Sequence, residues 1–323
     1  MTSDLPWVQN LPHGIDVIDT GFQRPQFDAS YLIAESGRAA FIDTGTNDSV
    51  PRLLAALAAR GLSVEAVDWV IATHVHLDHA GGVGQLMRHL PCARLVVHPR
   101  GAPHLIDPHK LVQGAQAVYG AEAVARTYGT VVGVPAERVT STAEGMTLML
   151  ADRPLRFLDT PGHARHHHCI WDERSQGIFT GDTLGLSYRE LDTPVGPYVL
   201  PSSTPVQFDP SAMKQSVERL LALKPQWAYL THFGRVGEVP RLGKQLLSQI
   251  DAMVACAHVV AAQTLEGSAR QSALRESLAQ LYETELRSMG STRSTQEIRE
   301  CLAVDIELNA QGLGVWLDTP APQ

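Results

Sequence analysis

Four short apolar runs of this chain end in threonine and pass, with at most two residues between, to a histidine or an aspartate. Residues 68–73 lead to His74, residues 155–160 to His163, residues 177–180 to Asp182 and residues 227–231 to His232. Runs of this length and character read as strands. Strands that each deliver one polar group at their end can converge on a single rim of a sheet, where loops carry functional side chains. The chain is therefore expected to form sheets whose strand ends gather these four groups.

The first of the four opens the densest cluster in the sequence, His74-Val75-His76-Leu77-Asp78-His79, followed by Ala80-Gly81-Gly82. Neutral imidazole nitrogen and carboxylate oxygen are ligands of zinc and related divalent metals. In an extended or turning segment His74 and His76 project to the same side, and Asp78 and His79 follow the turn toward a second nearby point. So many donors suit two metal positions better than one. The glycines let the backbone turn tightly beside the cluster.

The rest of the chain alternates strand and helix. Residues 30–34 and 39–43, joined by Ser36-Gly37-Arg38, predict a hairpin. Helix is expected from about Val50, with Asp48 or Ser49 as cap, Pro51 in the first turn and Gly61 at the end. Residues 84–90 read as helix and 94–98 as strand, a succession that predicts mixed α/β layers. Residues 100–140 predict a helical insertion, with helices near 105–119 and 121–128. Strands resume at 148–151, 155–160, 169–171, 177–180 and 227–231. Residues 186–208, with Pro194, Pro197, Pro201 and Pro205, predict a long loop. Beyond Pro240 three helices are expected, over 241–264, 268–289 and 295–311. A soft boundary near 238 divides residues 1–238 from a C-terminal helical region, 239–323.

Composition narrows the partners. Lys+Arg 26 against Asp+Glu 34 gives a net charge of -8, which opposes an extended nucleic-acid or anionic-membrane surface. Cys92, Cys169, Cys256 and Cys301 are scattered, with no CxxC pair, so neither a zinc ribbon nor a disulfide framework is expected. The N-terminus lacks a basic stretch leading into an apolar run, and no run reaches the ~18 residues of a membrane helix. The expectation is a soluble, cytoplasmic protein acting on a small molecule, with self-association left open.

The ordered set His74, His76, Asp78, His79, His163, Asp182 and His232 resembles the metallo-β-lactamase-fold hydrolase superfamily over roughly residues 15–235. The resemblance implies an αββα sandwich with a dinuclear metal site at one edge. By it, His74, His76 and His163 hold the first metal, Asp78, His79 and His232 the second, and Asp182 bridges them. Two divalent cations are implied, zinc first, with manganese or iron also compatible. Asp43, in Phe41-Ile42-Asp43-Thr44-Gly45, matches an early aspartate that orients ligand imidazoles. Asp78 is expected to orient the nucleophile as well as bind metal. Tyr188, six residues after Asp182, is the candidate proton donor, because lactone-cleaving relatives place a tyrosine nearby.

The helical tail is similar to that of glyoxalase II-like relatives. That family's basic glutathione-contacting motif has no counterpart in a matching position, and the 100–140 insertion lengthens the gap from His79 to His163. The expected substrate class is therefore ester, thioester or lactone. Two other readings use the same fold. A phosphodiesterase or RNA-processing nuclease is opposed by the negative charge, and a mononuclear iron persulfide dioxygenase by the complete two-metal set. His166, His167 and His168 are expected behind the ligands or in solvent. His98, His104 and His109 are candidates for the pocket wall, and His13, His89 and His258 are expected away from the site.

Overall fold

The structure, a computed structural model, describes residues 5–203 and 205–319. The chain condenses into two compact units that interleave along the sequence. The first comprises residues 5–159, 166–181 and 225–237, and the second residues 160–165, 182–224 and 238–319.

Among the described residues the first unit holds all the strands. In chain order its elements are β1 (Val8–Leu11), β2 (Ile15–Asp19), β3 (Ala29–Glu35), β4 (Arg38–Ile42), α1 (Val50–Ala59), β5 (Val67–Ala72), α2 (Leu77–Ala80), α3 (Val83–His89), β6 (Arg94–Val97), α4 (Ala102–Ile106), α5 (His109–Tyr119), α6 (Ala121–Tyr128), β7 (Val139–Ser141), β8 (Thr147–Leu150), β9 (Arg153–Asp159), β10 (His168–Asp172), β11 (Gly177–Gly181), β12 (Trp227–Leu230) and β13 (Gly234–Val236). Strands β1 to β7 form one sheet in sequence order, and β13-β12-β11-β10-β9-β8 form the other. The first sheet is antiparallel from β1 to β4 and parallel from β4 to β7. In the second, only β11 and β12 are parallel.

Parallel neighbours cannot be joined by a tight turn and need a crossover. Helix α1 carries the chain from β4 to β5, and α2 with α3 from β5 to β6. The segment expected as an insertion, 100–140, is the third crossover. Its helices α4 to α6 lead to β7, a strand the sequence pattern did not disclose.

The central strands are apolar on both faces, as sheets covered on both sides require. Tyr31, Ile33, Ile42, Ile71 and Val96 join Phe157, Ile170, Phe179 and Tyr229 in a core between the sheets. The alternate residues Leu32, Phe41, Val70, Leu95 and Val97 pack on the other side with Leu53 and Leu57 of α1 and Leu86 of α3. With the helices of the C-terminal region, these two sheets realise the expected mixed α/β fold class.

The second unit is helical. It contains α7 (Pro210–Ala222), α8 (Val239–Ala261), α9 (Gly267–Ser288), α10 (Thr295–Cys301) and α11 (Ala303–Asp318). Helix α7 starts where the Asp209 side chain accepts from Ala212 N–H at 2.9 Å, with Pro210 in the first turn. Leu242, Leu246, Ile250, Met253 and Ala257 form the buried stripe of α8, which packs on α7, α9 and α11. The single helix expected over 295–311 breaks at Leu302, itself fully buried, into α10 and α11.

Candidate metal centre

Asp43 stands at the end of β4 and Thr73 at the end of β5, so the parallel pairing of these strands sets their carboxyl ends side by side. Asp43 has φ +54, in the left-handed region that aspartate tolerates better than most residues. Its fully buried carboxylate collects four donors. Thr73 N–H reaches Oδ1 at 2.8 Å, and the Thr73 hydroxyl lies 3.0 and 2.9 Å from the two oxygens. The Thr231 hydroxyl and His79 Nδ1 each lie 2.8 Å from Oδ2. The threonines that end two of the apolar runs thus tie the ends of β5 and β12 to one carboxylate.

Of the candidate ligands, His79 touches this carboxylate directly. With Nδ1 given to Asp43, His79 presents Nε2 to its surroundings. His232 likewise donates Nδ1–H to the Phe27 carbonyl at 2.9 Å, which leaves Nε2 with the lone pair. Asp78 Oδ2 lies 3.4 Å from His232 Nε2 and 3.8 Å from His79 Nε2. Ligand atoms bonded at about 2.1 Å to one tetrahedral cation stand about 3.4 Å apart. The donor types and spacing of Asp78, His79 and His232, all within 4.8 Å of one another, therefore fit a divalent metal. His74 Nε2 and His76 Nδ1 face each other at 2.8 Å, and the His74 ring centre lies 4.0 Å from that of His79.

His163 and Asp182 belong to the second unit, where His163 Nε2 lies 3.4 Å from Asp182 Oδ2. Both are buried, at 1% and 4% exposure. His163 donates Nδ1–H to the Ser202 carbonyl at 3.0 Å and so shows the same tautomer as His232. The residue before it must be glycine. Gly162 has φ +134, and a Cβ there would meet the Met213 backbone of α7 at 2.3 Å. Asp209 N–H donates to the Gly162 carbonyl at 2.8 Å and the Ser216 hydroxyl to that of Pro161 at 2.6 Å, fixing the turn to α7. Tyr188 is fully buried in this unit, its hydroxyl donating to Asp305 Oδ1 at 3.0 Å.

The predicted donors are thus carried by both units: His74, His76, Asp78, His79 and His232 on the first, His163 and Asp182 on the second. The other histidines divide. His166, His167 and His168 are all buried rather than solvated. The His167 ring stacks 4.8 Å from His74 and the His166 ring lies 5.6 Å from His76. His168 accepts or donates at 3.0 Å with the Thr142 hydroxyl, and burial pushes its pKa down to about 3. His98 lies 3.2 Å from Asp159. His104 is half-buried with its ring 6.5 Å from His166, while His109, His13, His89 and His258 are not buried.

Sequence reasoning passed over Asp28. Its carboxyl is fully buried, accepts from the Thr20 hydroxyl at 2.8 Å, and is pushed up to about 7 by burial, against the lowering influence of His232 and His79. It adjoins an aromatic wall: the Phe27 ring lies edge-on to His232 at 5.4 Å, Phe22 lies 5.9 Å from Phe27, and Tyr128 of α6 lies 6.0 Å from Phe22. A lone aspartate ahead of a strand gives no signal of such burial.

Comparison with known proteins agrees with this picture. The family described as Metallo-beta-lactamase superfamily matches residues 24–232. A metallo-beta-lactamase fold-containing protein of Sulfurisphaera tokodaii, ST1585, is 25% identical over 230 residues, 70% of this chain and 79% of that protein. The crystal structure of ST1585, from Sulfolobus tokodaii, superimposes with a TM-score of 0.65 at 23% identity, covering 94% of this chain and 99% of that one. An atrochrysone carboxyl ACP thioesterase of Aspergillus fumigatus is 28% identical over 185 residues, 56% of this chain. The match spans 48% of that thioesterase, about half its length.

Proposed function

This chain belongs to the metallo-β-lactamase superfamily, and on that premise we propose that it is a dinuclear metal-dependent hydrolase of acyl substrates, with thioesters first and carboxyl esters and lactones as further candidates. The observation that carries the reading is the donor spacing: Asp78 Oδ2 at 3.4 Å from His232 Nε2, with the far nitrogen of that imidazole bound to a backbone carbonyl. In this reading His74, His76 and His163 would hold one cation, Asp78, His79 and His232 the other, and Asp182 would serve both. When bound, the cations supply water acidic enough to attack at neutral pH and positive charge for the oxygen that becomes negative.

The chain's own residues do the rest. Asp43 keeps His79 in the tautomer that a cation accepts. Asp78, 3.4 Å from His232 Nε2, would orient the nucleophile as well as bind metal. The departing group distinguishes the candidates. A thiol, with pKa about 8.5, leaves as thiolate without a proton from the enzyme, whereas an alkoxide needs one. Tyr188, the candidate donor, already directs its hydroxyl hydrogen bond to buried Asp305, which favours the leaving group that needs no proton. The relative named as an ACP thioesterase points to the same bond.

The test is a panel of acyl thioesters, lactones, carboxyl esters and phosphodiesters, offered to protein loaded with zinc, manganese or iron. Thioesters are expected to turn over fastest, and Asp182→Ala is expected to abolish turnover and lower metal content. Turnover of phosphodiesters alone, or full activity in Asp182→Ala with unchanged metal, would overturn the reading.

A further inference from the structure

His163 is directed by the Ser202 carbonyl, which accepts its Nδ1–H at 3.0 Å. Residues 201–203 form neither strand nor helix, so no regular hydrogen-bond ladder fixes that carbonyl. The buried amide of Asn309, in α11, grips the stretch from both sides. Its Oδ1 accepts from Ser203 N–H at 2.7 Å, with the Ser203 hydroxyl at 3.1 Å. Its Nδ2 donates to the Pro201 carbonyl at 2.9 Å. The peptide group that contains the Ser202 carbonyl, through its Ser203 N–H, and the peptide group before it, through the Pro201 carbonyl, are thereby held by one side chain. The same Nδ2 lies 2.9 Å from Tyr282 Oη, so the amide cannot flip without setting donor against donor at Ser203. Asparagine is a poor helix former and costs free energy when buried, so its place in the middle of α11, at 2% exposure, calls for a reason.

We propose that Asn309 is a positioning residue for the metal centre: through residues 201–203 it aims the His163 imidazole, so that Nε2 points toward Asp182. The inference rests on the reading of His163 as a ligand. It goes beyond that reading by giving the C-terminal helix a share in metal affinity.

Zinc affinity, measured by competition with a chromophoric chelator, and the absorption bands of the cobalt-loaded full-length protein test it. Asn309→Leu removes the grip and is expected to weaken zinc binding by about tenfold or more and to shift the cobalt bands. Asn309→Asp keeps the acceptor for Ser203 and loses the donor to Pro201, so it is expected to fall between Asn309→Leu and the parent protein. Tyr282→Phe disturbs the same core and lowers Tm but leaves both turn contacts, and zinc affinity is expected to hold. Should Asn309→Leu not fold, Asn309→Asp against Tyr282→Phe decides. Parent-like zinc affinity in the Asn309 variants, while His163→Ala has lost it, overturns the inference alone. An equal loss in Tyr282→Phe also overturns it, because the effect is then general loosening. Unchanged zinc binding in His163→Ala overturns both this and the reading it rests on.

Discussion

Asp43 concentrates more consequence than any other side chain of the first unit. Two hydroxyls, a backbone N–H and an imidazole N–H all point at one carboxylate. An asparagine in its place would offer one acceptor oxygen where two are used, and would set its own N–H groups against donors. Asp43→Asn is therefore expected to lower metal affinity about 10- to 100-fold, read by chelator competition, together with a fall in Tm. Tyr188→Phe is the opposite case. It deletes one buried hydrogen bond, about 1 kcal/mol, and is expected to lower stability in chemical denaturation while thioester turnover stays close to the parent rate. His168 predicts a pH effect. Its folded pKa is about 3 against an ordinary 6.5, so its stabilising contribution is present above 6.5 and lost as pH falls toward 3. His168→Gln is expected to flatten that acid limb in urea titrations. The candidate ligands were legible in the sequence because ligand chemistry resides in the residue type and its spacing. Asp28 and Asn309 were not, since the partners that bury them lie far away along the chain.

Helix α9 carries a second titratable group. Burial pushes the Glu285 carboxyl from its ordinary 4.5 up to about 7, and Tyr198 Oη lies 3.5 Å from it. Below 4.5 both folded and unfolded chains hold the proton. Between 4.5 and about 7 the folded chain holds a proton that the unfolded chain releases, and above 7 it must carry a partly buried charge, so stability present in acid is lost as pH rises through 7. Glu285→Gln is expected to remove this decline, checked by Tm between pH 5 and about 8. Elements with a strong apolar period, such as α1, α8 and the β3–β4 hairpin, were legible. The weaker ones escaped for physical reasons. β7 and β13 have three residues each, too few for an alternation to register. α7 spaces its buried Met213, Val217 and Leu220 among polar residues, and its real signal was the Asp209-Pro210 start, which lay hidden behind a proline-rich loop. The break at Leu302 has no proline or glycine to announce it.

For the molecule as a whole, a metal that binds the folded chain alone raises its stability by mass action, about 2.7 kcal/mol at a hundredfold excess over Kd. Chelation is accordingly expected to lower Tm, and zinc to restore it in proportion to the logarithm of its concentration. Among the described residues no helix is long and apolar enough to cross a membrane. The order of the two units along the chain has an evolutionary consequence. The backbone leaves the first unit after Asp159, returns at His166, leaves again after Gly181 and returns at Pro225. Two segments of the second unit thus lie, along the sequence, between strands of the first, and the longer one is anchored from the final helix, by Asp305 at Tyr188 and by Asn309 at Ser203. A tail so anchored is not a cassette that recombination could exchange in one event. Descendants that altered it would have had to rewrite the 182–224 stretch in step, and lineages with a different tail should bear the matching scars there.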